Sequence, residues 1–213
     1  MSDTESGPVF GGPHTIDDGI GKILATLEHL GATEDTIVIF TSDHGDMMGD
    51  HGLMLKGGMH FQGCLKIPLV VRAPGHGGLR TNALAASIDL PHTVLDLCGV
   101  PEFHGMQGVS LVPLLDDATA SVRQNVLVED DFPIAEVLPL LPLKIRTVVT
   151  DTHRYTRDSN GHESLYHLVN DPEELVNLAV NERAPSDRNQ MVSTLVDAMM
   201  TADDLTRTGP VSP

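Results

Sequence analysis

The chain has 213 residues, enough for one medium domain that buries roughly 70% of its unfolded surface. It carries 13 basic against 30 acidic residues, a net charge of −17, which argues against nucleic acid or an anionic membrane as a partner. Two cysteines, Cys64 and Cys98, make no disulfide framework, and no apolar run reaches bilayer-spanning length.

Residues 1–14 are polar and rich in Gly and Pro, and read as an irregular lead-in. They lack the basic start and apolar stretch of a secretory signal, so the expected location is cytoplasmic. Asp17 and Asp18 open a helical pattern in which Ile20, Ile23, Leu24, Leu27 and Leu30 share a face, with Gly31 as its stop. Ile37–Phe40 is a continuous β-branched and apolar run, the signature of a buried parallel strand. It ends in Thr41-Ser42-Asp43-His44-Gly45, and in open α/β sheets ligands bind at that carboxyl end.

Residues 45–66 are rich in Gly, Met and His without a clean period, and a loop this long is usually functional. Ile67–Val71 reads as a second buried strand and Ala83–Leu97 as a helix followed by Gly99 and Pro101. Leu111–Leu115 is a short apolar segment, and Val126–Val128 is a strand ending in Glu129-Asp130-Asp131, read as solvated caps and turn residues. Ile145–Thr150 and His153–Thr156 alternate like antiparallel strands. Asp158-Ser159-Asn160-Gly161 is a hairpin turn signal, and Ser164–Leu168 adds a third strand. Residues 187–203 form a final amphipathic helix. The fold class is α/β. Its expected organisation is a lead-in (1–14), an α/β part with the long loop (15–135), a small antiparallel β subdomain with a terminal helix (136–203) and a tail (204–213).

The chemistry concentrates in Thr41–Pro74, TSDHGDMMGDHGLMLKGGMHFQGCLKIPLVVRAP. Asp43 offers a hard anionic oxygen and the adjacent His44 a neutral imidazole nitrogen, two donors suited to one divalent metal. Lys56, thirteen residues after Asp43, can set a compact positive charge on an anionic ester group. His51, His60 and Gln62 lie in the same loop. Met47, Met48, Met54 and Met59 read as packing for it, and Cys64 and Cys98 as small apolar residues.

This run resembles the second metal-binding motif of the sulfatases, within the alkaline-phosphatase superfamily: an apolar strand, T-S-D-H-G-D, G-D-H-G, a Lys and a P-L-V-V-R-A-P-G strand. Related phosphonate monoester hydrolases are similar. Asp18-Gly19-Ile20-Gly21-Lys22 resembles the family's helix before the metal strand. Ile88-Asp89-Leu90-Pro91-His92-Thr93-Val94-Leu95 and Gly108-Val109-Ser110-Leu111-Val112-Pro113-Leu114-Leu115 resemble two further family segments. Leu165-Tyr166-His167-Leu168, Asp171-Pro172-Glu173-Glu174 and Asn177-Leu178 resemble the family's terminal motif. The resemblance covers about residues 15–180.

The resemblance implies an alkaline-phosphatase-like sheet with flanking helices, present in part, and hydrolysis of sulfate esters, either small molecules or sulfated glycans. Asp43 and His44 become metal ligands, to Ca²⁺ as the usual ion with Mn²⁺ as an alternative. Lys56 and His60 become substrate-binding residues. The family's nucleophile is a formylglycine made from Cys in C-x-P-S-R or C-x-A-S-R, but Cys64 begins C-L-K-I-P and Cys98 begins C-G-V-P-E. No catalytic nucleophile is therefore identified. Asp17-Asp18 sits in the wrong segment to replace the family's amino-terminal Asp pair. The chain reads as the carboxy-terminal portion of such a hydrolase, working with a separate amino-terminal segment. A non-catalytic remnant or partner chain is the alternative function, and a phosphonate monoester or phosphodiester the alternative substrate.

Overall fold

The computed structural model describes residues 12–56, 58–131, 144–180 and 183–202. Residues 1–11 of the expected lead-in, the tail 204–213 and the expected boundary at 135–136 lie outside the described residues. The chain divides into two compact units. One holds α1 (Gly12–His29), a 3-10 turn (Thr33–Asp35), nearly all of β1 (Val38–Thr41) and most of β2 (Leu69–Arg72). The other holds residues from Thr41 to Leu69 and from Gly77 onward.

In the first unit, α1 begins at Gly12 rather than Asp17, so the helix takes in the end of the expected lead-in. It ends in a Schellman motif. Gly31 adopts φ 65°, its N–H donates to the Glu28 carbonyl, and the Ala32 N–H donates to the Leu27 carbonyl. β1 and β2 pair in one two-stranded sheet, as their sequences predict. Leu24 and Glu28 of α1 line one cleft with Arg72 of β2. The strands are not buried, however. Phe40 is 42% exposed and Val70 60%, since in a two-stranded sheet both strands are edge strands. Pro68 precedes Leu69 and supplies no N–H, so the strand starts two residues later than Ile67.

The second unit opens with the long loop, which contains a 3-10 turn at Asp50–Gly52 and the short helix α2 (Gln62–Leu65). α3 (Asp89–Leu97) is shorter than the Ala83–Leu97 helix that composition suggests. The fully buried Asp89 carboxylate explains the late start. It accepts N–H bonds from Ala86 (2.8 Å) and Val109 (3.0 Å) and pairs with Arg123, which holds residues 83–88 out of the helix. α4 (Val112–Asp116) follows.

β3 (Val126–Asp131), β4 (Lys144–Val149), β5 (His153–Asp158) and β6 (Glu163–His167) then form an antiparallel sheet in chain order. Glu129, Asp130 and Asp131 are strand residues rather than turn residues. Arg146, on the neighbouring strand, binds Glu129 (2.8 Å) and Asp131 (2.7 Å), so opposite charges across the ladder keep the acidic run extended. The β5–β6 turn is built as its sequence predicts, with the Asp158 carboxylate accepting the N–H groups of Asn160 and His162.

The pleat gives this sheet two different faces. Val148, Tyr155 and Leu165 stand opposite one another across β4, β5 and β6. They meet Met191, Leu195 and Ala198 of α5 (Pro185–Thr201) in one apolar cluster. Residues at those spacings share one helix stripe. The alternate positions put Thr147 beside Thr156, and Arg154 beside Tyr166, on the opposite face. Leu195→Ala should cost about 2–5 kcal/mol as a buried truncation, whereas Val70→Ala should change stability by less than about 0.5 kcal/mol. Urea unfolding of both variants measures the difference.

Candidate functional site

β1 delivers Asp43 and His44 just beyond its carboxyl end, where no ladder consumes their polar groups. The Asp43 carboxylate uses Oδ1 locally, accepting the His44 N–H at 2.9 Å. That bond, first, and then the charges of His44 and Lys56 hold its pKa below the ordinary carboxylate range. Its side chain is 84% exposed, with Oδ2 lying 3.4 Å from His44 Nε2. The His44 ring donates from Nδ1 to the Gly45 carbonyl at 2.7 Å. That bond fixes the tautomer and leaves the Nε2 lone pair facing outward. Lys56 Nζ donates to that same Nε2. Asp43, His44 and Lys56 therefore converge on one point, as their sequence positions suggest.

The loop between them is held by its own backbone. Met47 N–H bonds the Leu55 carbonyl (3.0 Å) and Gly49 N–H bonds Leu53 (2.8 Å), which folds residues 47–55 back on themselves. Met48, His51 and Leu55 all adopt left-handed φ values, 47°, 54° and 68°, a concentration of strain typical of functional loops. Met47 is buried beneath the loop, but Met48 and Met54 are exposed rather than packed. Gly45 has no alternative residue here, since a Cβ on it would lie 1.9 Å from the Gly63 carbonyl oxygen. Its N–H also donates to the Cys64 carbonyl at 2.8 Å. The Asp43–Gly45 segment and α2 are thus in direct backbone contact.

His60 stands apart from that convergence. It is 7% exposed and so not open to a ligand in this structure. Its Nδ1 lies 2.7 Å from Thr147 Oγ1 and its Nε2 3.8 Å from Asp130. His51 stacks on Phe61 with 3.9 Å between ring centroids. Two residues to which the sequence assigns no site role also reach this loop. Glu174 accepts the Gln62 N–H at 2.7 Å and pairs with Arg154. Arg154 gives no signal in an alternating strand, and Glu174 appears in the sequence only as part of the terminal motif.

As a candidate metal centre this arrangement offers two donors. Among the described residues, no three His, Cys, Asp or Glu side chains gather tightly enough to hold an ion alone. The two donors present do fit one. Asp43 Oδ2 and His44 Nε2 face a common point, and the lysine ammonium sits against that nitrogen as a stand-in cation.

Residues 11–100 match the sulfatase family profile. The chain is similar to choline-sulfatase of Rhizobium meliloti, 32% identical over 81% of this chain and 33% of that protein. It is also similar to N-acetylglucosamine-6-O-sulfatase of Bacteroides thetaiotaomicron, 36% identical over 48% of this chain and 18% of that protein. Among solved structures it resembles the phosphonate monoester hydrolase of Agrobacterium radiobacter. There the identity is 31% and the TM-score 0.79, over 93% of this chain and 43% of that one. The chain thus spans a third or less of the length of these two curated relatives. The alkaline-phosphatase-like α/β fold is present in part. No helix among the described residues is long and apolar enough to cross a membrane.

Burial, first, holds the His60 pKa below its ordinary value of 6.5, with Arg154 and Arg146 adding to the effect and Asp130 opposing it. The unfolded chain therefore takes up this proton first. The stability that neutral His60 contributes is complete above the ordinary value and is lost as pH falls below it toward the folded one. The urea midpoint should drop between about pH 7 and pH 5, and His60→Gln should flatten that drop. An equal slope in both proteins would assign the pH dependence to other groups.

Proposed function

Because the chain belongs to the sulfatase family, we propose that it forms the carboxy-terminal part of a metal-dependent hydrolase of sulfate esters. Asp43 and His44 supply two ligands of the metal, and Lys56 meets the anionic group of the substrate. The observation that carries this reading is the convergence of Asp43 Oδ2, His44 Nε2 and Lys56 Nζ beyond the end of β1. Ca²⁺ takes six to eight oxygen ligands, so water and residues of another segment complete its shell. An imidazole among the ligands suits Mn²⁺ as the alternative ion. When bound, the ion offsets negative charge on the ester.

The residues of this chain hold and orient. The bond to Gly45 keeps His44 in the tautomer whose lone pair faces the ion. Lys56 donates N–H hydrogen bonds to ester oxygens, where its positive charge stabilises the charge that develops as the ester bond breaks. His60 acts behind the loop rather than on the ester. Neither Cys64 nor Cys98 lies in a formylglycine signature, so the nucleophile comes from a separate amino-terminal sulfatase segment. The exposed Phe40 and Val70 of the β1–β2 sheet offer such a segment apolar surface. The substrate is a small sulfate ester or a sulfated glycan. A phosphonate monoester is the second reading, favoured by the 31% identity to a phosphonate monoester hydrolase. The cysteines are free, which suits a cytoplasmic setting.

Calorimetric titration of the purified chain should detect Mn²⁺ or Ca²⁺ binding. Asp43→Ala and His44→Ala should each weaken it by about tenfold or more, while Lys56→Ala should leave it intact or strengthen it. Wild-type protein that binds neither ion favours a non-catalytic remnant. An aryl sulfate assay of the chain alone should show no turnover. Turnover that Asp43→Ala or Lys56→Ala abolishes would place a nucleophile within these 213 residues.

A further inference from the structure

The polar face of the antiparallel sheet, opposite α5, carries a closed circuit of hydrogen bonds that begins and ends on the long loop. His60 Nδ1 meets Thr147 Oγ1 at 2.7 Å, and Thr147 meets Thr156 Oγ1 at 2.7 Å. Arg154 Nη1 donates to Thr156 Oγ1 at 2.8 Å, and Arg154 Nε donates to Glu174 Oε1. Glu174 Oε2 then accepts the N–H of Gln62 at 2.7 Å. The guanidinium also lies over two rings, 5.0 Å from the centroid of Phe61 and 4.8 Å from that of Tyr166.

Arg154 and Glu174 are each 2% exposed. A buried ion pair is a weak source of stability, since desolvation offsets most of its attraction. Glu174 is moreover held at φ 55°, a left-handed conformation that a glutamate adopts only under constraint. A costly pair in a strained backbone fits a role in position more than in stability. The positional route is continuous. Glu174 fixes Gln62 at the start of α2, α2 contacts Gly45 through Gly63 and Cys64, and Gly45 orients the His44 ring.

We propose that the buried Arg154–Glu174 pair is a positioning device for the metal-ligand segment, acting through Gln62 and Gly45 on His44. The metal part of this proposal rests on reading Asp43 and His44 as ligands, whereas the positioning of Gly45 does not. Arg154 and Glu174 are positioning residues and touch neither ion nor ester.

The test is residue-resolved amide exchange on the ¹⁵N-labelled 213-residue chain, with Mn²⁺ titration alongside. Glu174→Gln and the paired apolar replacement Arg154→Met with Glu174→Leu are compared with wild type. The paired variant removes the circuit without the unpaired buried charge that a single change leaves behind, and so keeps the fold intact. Protection at Gly45 and Gln62 should fall about tenfold or more, with Tyr155 and Leu165 unchanged, and the Mn²⁺ dissociation constant should rise about tenfold. A merely structural pair would lower protection across the core as well. Folded variants that keep wild-type protection at Gly45, or lose it without change in Mn²⁺ affinity, overturn the proposal. If wild type binds no Mn²⁺, the metal reading fails, and exchange at Gly45 alone decides whether the pair positions His44.

Discussion

A pleated strand has two faces, and in β4, β5 and β6 both are buried against something different. That constraint organises most of the second unit. Val148, Tyr155 and Leu165 point one way and form the apolar floor for α5. Thr147, Arg154, Thr156 and Tyr166 point the other way, and the long loop settles on them. Shifting one strand by a single residue would exchange the two sets, putting Arg154 under the helix and Tyr155 under the loop. Strand register therefore sets both the core and the support beneath the candidate site.

The loop illustrates how a site can be well placed without being buried. Asp43 and Lys56 are solvent-facing, while the elements that aim them lie underneath. Met47 is enclosed, Gly45 touches Gly63 backbone to backbone, and Phe61 is wedged between His51, Tyr166 and Arg154. Left-handed backbone at Met48, His51 and Leu55 persists because these contacts over-determine the path. Exposure at the tip leaves Asp43 and Lys56 open to water or to residues from elsewhere. Rigidity at the base keeps the donors from drifting apart.

Much of this was legible in the sequence, and the reasons differ by element. The helices and the antiparallel strands follow from periodicity, and the Asp158–Gly161 turn from its side-chain chemistry. The convergence of Asp43, His44 and Lys56 followed from a strand end and a loop of suitable length. Strand burial did not follow, because an apolar run such as Val38–Phe40 states what a strand prefers and not what covers it. The late start of α3 was hidden because Asp89 spends its carboxylate on residues distant in sequence, Val109 and Arg123. Arg154 and Glu174 were hidden for a related reason. Twenty residues separate them, and no local pattern marks an arginine that is buried in a strand.

The open β1–β2 sheet gives the molecule the character of a charged colloid. Its apolar side chains face solvent beside ladder groups that another extended chain could pair with. Association through them would bring together bodies that each carry −17. In dilute buffer that repulsion extends over tens of ångströms, but at 1 M salt it shrinks to about 3 Å, shorter than a side chain. Ionic strength therefore sets whether the apolar surface of one copy can reach that of another.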